Sequence, residues 1–240
     1  MCTVTFSPRK RGYALAMNRD EKLTRTSGLP PAVSVINGRR MLAPSEPSGG
    51  TWISVNDSGV TFALINWYSI RTRVEIKPVS RGEVVRAVSF CNTGVLADQK
   101  LELPPLKHIN PFRLIGIFPE TKEISEWRWD LTRLSYKKHS WQLQQWISSG
   151  FDEANAQKIR GATLQNSLKD KSASSLEWLR RLHRSHLPAT GPFSTCMHRE
   201  DAATVSYTEI NVSARKTAMR YFGGSPCHCA PGQLQLHRLD

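Results

Sequence analysis

The residue with the clearest chemical potential is the cysteine at the second position, Cys2. A small second residue favours removal of the initiator methionine, which would leave a thiol and an α-amine on one residue. An α-amine titrates near ~7.7–8.0, so a good fraction is neutral around pH 7 and can act as a base toward the thiol. The position therefore predicts an N-terminal nucleophile. The alternative is a start-site cysteine that behaves as a small hydrophobic residue.

A polar cluster follows the first predicted hairpin and consists of Asn18, Arg19, Asp20 and Glu21. Short strands over residues 3–6 and 13–17 would pair and carry this cluster to a position beside Cys2. An arginine there would lower the pKa of the thiol and orient a substrate carboxylate or carbonyl, and an acid could hold the α-ammonium. Because neighbouring residues on a strand point to opposite faces, Arg19 and Asp20 can both face Cys2 only if the strand bends. The alternative is that these four residues form a charged turn with no catalytic or binding role.

A second group of soft side chains lies near the C-terminus and consists of Cys196, His198, Cys227, His228 and Cys229. Their number suffices for a zinc site, but cysteine ligands of zinc are usually separated by roughly two to four residues. The Cys-x-Cys spacing is tighter, and the sequence has no Cys-x-x-Cys. We therefore predict no metal site. We interpret His183 and His186 as part of the solvated face of a basic helix.

The first of the secondary-structure elements expected to position these residues are β-strands. Residues 51–55 and 60–67 are predicted to form a hairpin, because the intervening Asn56-Asp57-Ser58-Gly59 contains residues that tolerate positive φ. A helix with an apolar stripe is predicted over 80–90, and a buried strand over 112–118.

The remainder of the chain contains a helical block between strands. Strands are predicted over 124–134 (long and bulged), 141–147, 192–198, 203–212 and 216–222, and helices over 151–168 and 174–186. Strands, helices and strands again indicate an α+β fold with antiparallel sheets. We expect one domain over residues 1–222 and a C-terminal tail, 223–240, with little periodicity.

Composition narrows the classes of partner. The 240 residues carry a net charge of +13, from 33 basic and 20 acidic residues. The basic residues are scattered without a nucleic-acid-binding motif, which argues against nucleic acid as the partner. An anionic small molecule or a membrane surface would suit the same charge. No segment approaches the ~20 apolar residues of a membrane span. The five cysteines are an odd number at low density, so we expect a cytoplasmic protein.

The opening Met1-Cys2-Thr3, followed by Asn18-Arg19-Asp20-Glu21, resembles the NRDE family, also called the Transport and Golgi organisation 2 family. The family takes the first of these names from the four-residue motif. The resemblance extends over most of the chain, through Trp52, Asn56 to Gly59, Asn66, Ser80-Arg81-Gly82, Ser148-Ser149-Gly150 and Thr204-Val205.

That family is similar in fold to the N-terminal-nucleophile (Ntn) hydrolases, which implies a four-layer αββα sandwich. In the choloylglycine-hydrolase and penicillin-acylase relatives, an N-terminal cysteine attacks an amide. The resemblance thus implies hydrolysis of a non-peptide C–N amide bond in a small molecule. It gives Cys2 the role of nucleophile, Arg19 that of substrate polariser, Asp20 that of orienting acid and Asn66 that of oxyanion donor. Asn18, Glu21 and Asn56 would contact the substrate. The relatives separate the arginine from the aspartate by two residues, whereas here the two are adjacent.

The resemblance also implies an alternative without catalysis. Proteins similar to this family have been linked to haem mobilisation, which would make the chain a haem-binding or trafficking protein. Its basic charge suits the haem propionates, and a cysteine or histidine could ligate the iron. No Cys-x-x-Cys-His attachment site is present, so haem would be a reversible ligand, whereas the hydrolase reaction requires no cofactor. A basic RNA-binding or membrane-surface protein is a third alternative that rests on charge alone.

Overall fold

The computed structural model describes residues 2–214, 216–230 and 232–239, and within them the strands pair into two antiparallel sheets. In chain order the strands are β1 (Cys2–Pro8), β2 (Tyr13–Lys22), β3 (Leu29–Ile36), β4 (Arg39–Ser45), β5 (Ile53–Asn56), β6 (Thr61–Asn66), β7 (Phe112–Phe118), β8 (Glu123–Trp129), β9 (Leu134–His139), β10 (Gln144–Ser148), β11 (Ala202–Val212), β12 (Thr217–Phe222) and β13 (Gln235–Leu239). The helices are α1 (Gly82–Val88), α2 (Gly94–Lys100), α3 (Glu153–Ser167) and α4 (Leu176–Arg184), with 3-10 turns at Leu106–His108 and Pro226–His228. The first sheet runs β10-β1-β2-β11-β12-β13, and the second runs from β3 to β9 in consecutive order.

Alternating side chains on the strands create three apolar layers. Between the sheets, Val4 and Leu15 of the first sheet meet Ile53 and its neighbours in the second. On the outer face of the second sheet, the valines of α1 pack against β6 and β7. On the outer face of the first sheet, α3 and α4 pack over the small side chains of Ala14 and Ala16. The resulting order of helix, sheet, sheet and helix confirms the expected α+β fold and its four-layer αββα arrangement.

The predicted helical block is present and is capped as the sequence suggests. The prediction over 151–168 corresponds to α3, in which the Asp152 carboxylate accepts a hydrogen bond from the Asn155 N–H at 3.0 Å. The prediction over 174–186 corresponds to α4, in which the Ser175 hydroxyl accepts from the Trp178 N–H, also at 3.0 Å. These caps satisfy N–H groups that have no partner inside the helix.

The single long strand predicted over 124–134 is wrong, because this segment is part of the hairpin formed by β8 and β9. Its turn lacks glycine and is held instead by Asp130, whose carboxylate accepts hydrogen bonds from the N–H groups of Thr132 and Arg133. Leu131 takes a positive φ of 84° in this turn. A leucine is rare in that conformation, so the turn has no simple signal in the sequence.

Two further segments differ from the prediction. Residues 192–198 form no strand and contribute only an isolated bridge between His198 and Ala203. Residues 223–239, expected to lack periodic structure, contain a 3-10 turn and β13, which pairs with β12 and buries Leu239 in the core between the sheets. None of the helices in the described part of the chain combines the length and the hydropathy of a membrane span.

Candidate active site

The register of the first sheet places Cys2 between two polar residues. Cys2 lies opposite Arg19 on β2 and opposite Ser148 on β10. Directly opposed residues of an antiparallel pair share a face, so the thiol and the guanidinium point to the same side, toward the gap between the sheets. The Cys2 main-chain N donates a hydrogen bond to the Ser148 hydroxyl at 3.1 Å. In a chain without Met1, that nitrogen is the α-amine, and Ser148 would orient it.

A cleft of about 340 Å³ opens above Cys2 at this end of the two sheets. The first sheet contributes Cys2, Arg19, Asp20 and Glu21, and the second contributes Leu64 and Asn66. Gly82, at the start of α1, and loop residues complete the walls; the loop residues are Arg25, Glu46, Ser48, Gly50, Thr51, Trp52, 78–81 and Asn110. The lining is strongly polar and places cationic and anionic side chains around one buried thiol.

Arg19 is fixed in place by three neighbours. Its guanidinium lies 2.8 Å from the Glu46 carboxylate and 3.5 Å from that of Glu21. The Arg19 Cζ also lies 4.5 Å from the centre of the Trp52 ring, a cation–π geometry. Arg25 pairs with the same two acids. The arginine beside the thiol is therefore held rigidly, as part of a network of charges along one wall.

The thiol of Cys2 is held in its neutral form by its surroundings. Burial raises the pKa of the Cys2 thiol, and the Asp20 carboxylate acts in the same direction. Arg19 and a hydrogen bond from the Asp20 main-chain N–H lower that pKa, but they do not outweigh burial. A neutral thiol is a poor nucleophile, so chemistry at this residue requires a base that removes the proton during attack.

Asp20 projects from the opposite face of β2, as strand alternation requires. The Thr204 hydroxyl donates to the Asp20 carboxylate at 2.7 Å, and Arg160 of α3 lies 3.2 Å from it. Arg160 also donates to the Thr3 hydroxyl at 2.6 Å. The strand does not bend to bring both residues forward. Asp20 therefore reaches Cys2 through its main-chain N–H, while its carboxylate joins β2 to the helical layer.

Asn66 stands at the end of β6 on the rim of the cleft. Its side-chain amide donates a hydrogen bond to the Tyr68 hydroxyl at 2.8 Å. An amide carries two N–H groups, so a second donor is available for a ligand oxygen. Asn66, the predicted oxyanion donor, therefore lines the same cleft as Cys2.

Arg81 is a cleft residue to which the sequence analysis gave no role. It lies just before α1, lines the cleft, and makes one long hydrogen bond of 3.4 Å to the Pro111 carbonyl. Burial lowers the pKa of its guanidinium even though Tyr68 and Glu21 act in the opposite direction. The signal that could have found it is the Ser80-Arg81-Gly82 segment, which was already part of the family resemblance.

The structure places Asn18 outside the cleft, although the resemblance implied a substrate contact. The Asn18 amide donates to the carbonyls of His183 and Thr195, at 2.9 and 2.8 Å, and its oxygen lies 3.0 Å from His183 Nδ1. It faces the helical layer because it alternates with Arg19. The expectation of a solvated His183 is wrong, since this side chain is fully buried and burial, with Arg160 nearby, lowers its pKa to about 3.

Asn56 is likewise not among the residues that line the cleft. Its amide donates to the carbonyls of Ser89 and Cys91, at 3.1 and 2.9 Å, and its oxygen accepts from the main chain of Ser58 and Val60. All of its hydrogen-bonding capacity thus goes to closing the β5–β6 turn and holding the segment after α1. The structure brings Glu21 to the cleft, but not Asn18 or Asn56.

Side chains that could hold a metal ion converge elsewhere, near the C-terminal end of α4. Among the described residues, His186, Cys196, His198 and Cys227 have ligand atoms that all lie within 4.8 Å of one another.

The fold is similar to that of solved structures whose sequences are only 9–10% identical to this chain. A penicillin V acylase from Agrobacterium tumefaciens is similar with a TM-score of 0.58 at 9% identity, over 100% of this chain and 86% of that chain. A mutant of the conjugated bile acid hydrolase from Clostridium perfringens gives a TM-score of 0.56 at 10% identity, over 100% of this chain and 92% of that chain. Another variant of the same hydrolase gives 0.58 at 9%, with the same coverage. The architecture is thus that of the Ntn hydrolases.

Similarity at the level of sequence identifies the family. No curated protein matches the chain, but the family model for Transport and Golgi organisation 2 matches residues 1–127, which is more than half of the 240 residues. Met1 lies outside the described residues, whereas Cys2 and the whole of the Asn18 to Glu21 motif lie within them. The chain belongs to the Transport and Golgi organisation 2 family.

Proposed function

We propose that this protein is an Ntn-type hydrolase that cleaves a non-peptide C–N amide bond of a small molecule, with Cys2 as its nucleophile. The observation that carries the proposal is the position of Cys2, in register with Arg19 at the base of the cleft and with its main-chain N on the Ser148 hydroxyl. The names of the two structurally similar proteins, an acylase and a hydrolase, support the same class of reaction. The proposal requires removal of Met1.

The reaction begins with transfer of the thiol proton to the α-amine of Cys2 as Sγ attacks the amide carbonyl carbon. Collapse of the tetrahedral oxyanion breaks the C–N bond, and the α-ammonium returns the proton to the leaving amine. Water, deprotonated by the same amine, then attacks the thioester. The C–S bond breaks and the thiol is regenerated. One amide and one water become one carboxylic acid and one amine, and no cofactor takes part.

The cleft suits a small, polar and anionic substrate. Its volume of about 340 Å³ is at the lower end of the ~300–1,000 Å³ typical of small-molecule sites. Asn66 would donate a hydrogen bond to the oxyanion, where a donor acts more strongly than on the ground-state carbonyl. Arg19 and Arg81 would bind a carboxylate of the substrate, and Glu21 would contact a polar group at the rim.

The test combines intact mass with turnover of a panel of N-acyl substrates. We expect the purified protein to lack Met1, to release amine from at least one substrate, and to lose that activity in Cys2→Ala. A chain with one glycine inserted between Met1 and Cys2 keeps the thiol but displaces the α-amine, so it should also be inactive. Cys229→Ser, which changes a cysteine outside the cleft, should retain full activity. Retained Met1, or equal turnover by wild type and Cys2→Ala, would rule out the proposal.

The pH dependence gives a second readout. Because the neutral α-amine is the base, kcat/KM should rise with pH through the α-amine pKa, ~7.7–8.0 in an ordinary terminus, and then level off. A reducing, cytoplasmic setting is part of the proposal, since the described cysteines, Cys2 included, are unpaired thiols.

Haem binding on the same fold stays a prediction from the resemblance. Of the residues that line the cleft, Cys2 belongs to a type that commonly ligates haem iron, and the arginines could contact propionates. A haem titration of wild type and Cys2→Ala, followed by the Soret band, tests it. No shift at micromolar haem would exclude this alternative.

A further inference from the structure

We propose that His186, Cys196, His198 and Cys227 bind one structural Zn²⁺ ion. The four ligand atoms lie within 4.8 Å of one another, and they come from three stretches of chain. His186 follows α4, Cys196 and His198 lie in the irregular segment before β11, and Cys227 lies in the 3-10 turn after β12. The site is separate from the cleft and does not depend on the proposed hydrolase activity.

Two distances within the cluster match those expected between ligands of a tetrahedral zinc ion. With Zn–S near 2.3 Å and Zn–N near 2.0–2.1 Å, a sulfur and a nitrogen ligand should be about 3.6 Å apart. His198 Nε2 lies 3.5 Å from Cys196 Sγ and 3.4 Å from Cys227 Sγ. His198 Nε2 therefore lies at nearly the same distance from both sulfurs, as expected if all three atoms are ligands of one metal ion.

An unsatisfied nitrogen points to the same conclusion. His186 Nε2 is buried and has no hydrogen-bond partner in the structure. The His186 ring packs against the His198 ring with their centres 5.1 Å apart. Leaving a buried nitrogen unpaired is costly, whereas a metal ion at the centre of the cluster would satisfy it.

The main chain holds the ligands in place. The Cys196 N–H donates to the Ser185 carbonyl at 2.9 Å, and the His198 N–H donates to the Gly191 carbonyl at 3.2 Å. The Ser225 hydroxyl donates to the Thr204 carbonyl at 2.6 Å and so anchors the turn that carries Cys227. Zinc would cross-link α4, the segment before β11 and the C-terminal part of the chain, where regular secondary structure is sparse.

The donor set selects the metal. Two thiolates and two imidazoles in a tetrahedral arrangement are typical of zinc, and they are poor ligands for calcium or magnesium, which prefer oxygen. Four protein ligands leave no position for water or substrate, so the site is structural rather than catalytic. The neighbouring His228 and Cys229 are not part of the cluster.

The main test is metal analysis of the full-length protein purified under reducing conditions and supplied with zinc. We expect one equivalent of zinc per chain by elemental analysis. Cobalt substitution should give the visible d–d bands of a tetrahedral site and a near-ultraviolet thiolate charge-transfer band. Cys227→Ser and His198→Gln should lower zinc content at least fivefold, whereas the matched controls Cys229→Ser and His228→Gln should keep the full equivalent.

A readout on the wild-type chain keeps the proposal testable if the ligand variants fail to fold. Removal of zinc with a chelator should lower the thermal unfolding temperature, and one equivalent of zinc should restore it. Wild type that stays metal-free after incubation with zinc would overturn the proposal. So would a Cys196–Cys227 disulfide in the reduced preparation, a cobalt complex without the thiolate band, or equal zinc loss in the two control variants.

Discussion

At the scale of the residue, the arginine side chains of the cleft differ in how many hydrogen-bond and ion-pair partners they have within the protein. Arg19 is engaged by Glu46, Glu21 and the Trp52 ring. Arg81 makes a single long hydrogen bond to a carbonyl and has no carboxylate partner among the ion pairs of the described residues. A substrate carboxylate would have to compete with glutamates for Arg19, but it would meet little competition at Arg81. We therefore expect Arg81 to contribute more to substrate binding and Arg19 more to the environment of the thiol.

Replacement of Arg81 tests this difference. Hydrogen bonds to charged groups contribute about 1.5–3 kcal/mol, so Arg81→Met should raise KM roughly 10- to 100-fold for an N-acyl substrate with a free carboxylate. The KM of the corresponding neutral amide should change little. Steady-state kinetics on both substrates measures the effect. Arg86→Met, on the exposed side of α1, is the matched control and should leave both KM values unchanged. An equal rise in KM for the charged and neutral substrates would contradict the assignment.

At the scale of the element, the sequence predicted strands and helices where periodicity follows burial. The strand over 112–118 was predicted with the bounds that it has, because most of its side chains are buried. The hairpin of β3 and β4 was missed because β3 exposes most of its side chains, including Val33 and Val35. Its turn, at Asn37 and Gly38, does carry a recognisable signal, since both residues take positive φ. Hydrophobic patterns report burial, so an exposed strand escapes them.

The junction of β2 with α3 depends on the buried pair of Asp20 and Arg160, whose side chains are both 0% exposed. Removing one partner of a buried ion pair leaves an uncompensated charge and typically costs about 3–5 kcal/mol. Asp20→Asn should therefore lower the free energy of unfolding by about that amount, as measured by urea denaturation. Replacing both residues, in Asp20→Asn with Arg160→Met, should recover part of the loss. Asp170→Asn, which breaks an exposed pair with Arg181, is the control and should barely change the midpoint. A similar loss in both single variants would argue against a special role for the buried pair.

At the scale of the whole molecule, the cleft and the cysteine–histidine cluster are both formed by residues that are far apart in the sequence. Cys2 meets Ser148, and His186 meets Cys227, only because the sheets and the C-terminal turn bring them together. The family motif predicted that Arg19 and Glu21 lie near Cys2, and all three line the cleft, whereas Asn18 of the same motif lies outside it. Spacing rules for zinc ligands did not single out the cluster of His186, Cys196, His198 and Cys227, because its first histidine and last cysteine are distant in sequence from the Cys196-x-His198 pair. Such clusters become visible only when the fold is known.

The seven-stranded sheet contains a buried carboxylate that should make the free energy of unfolding depend on pH in the acidic range. Glu126 is fully buried on β8 and contacts Arg113 at 2.6 Å and Arg128 at 2.9 Å, with His139 also at 2.6 Å. Burial alone would raise the pKa of Glu126, but hydrogen bonds and attraction from the two arginines outweigh it and lower the pKa from 4.5 to about 2. Since the folded-state pKa is the lower one, the carboxylate stabilises the fold above about pH 4.5. That contribution is lost as the pH falls toward 2.

The shift corresponds to about 3 kcal/mol at neutral pH, and Glu126→Gln provides the comparison. Urea unfolding at neutral pH should show the variant to be less stable than wild type by at least this amount, because the arginines lose their carboxylate. Between about pH 4.5 and 2 the difference should narrow, since wild type protonates Glu126 and comes to resemble the variant. Glu102→Gln, at an exposed position, controls for the general loss of negative charge and should follow wild type at every pH. If the gap between wild type and Glu126→Gln stays constant or widens in acid, the ion cluster does not stabilise the sheet through this carboxylate.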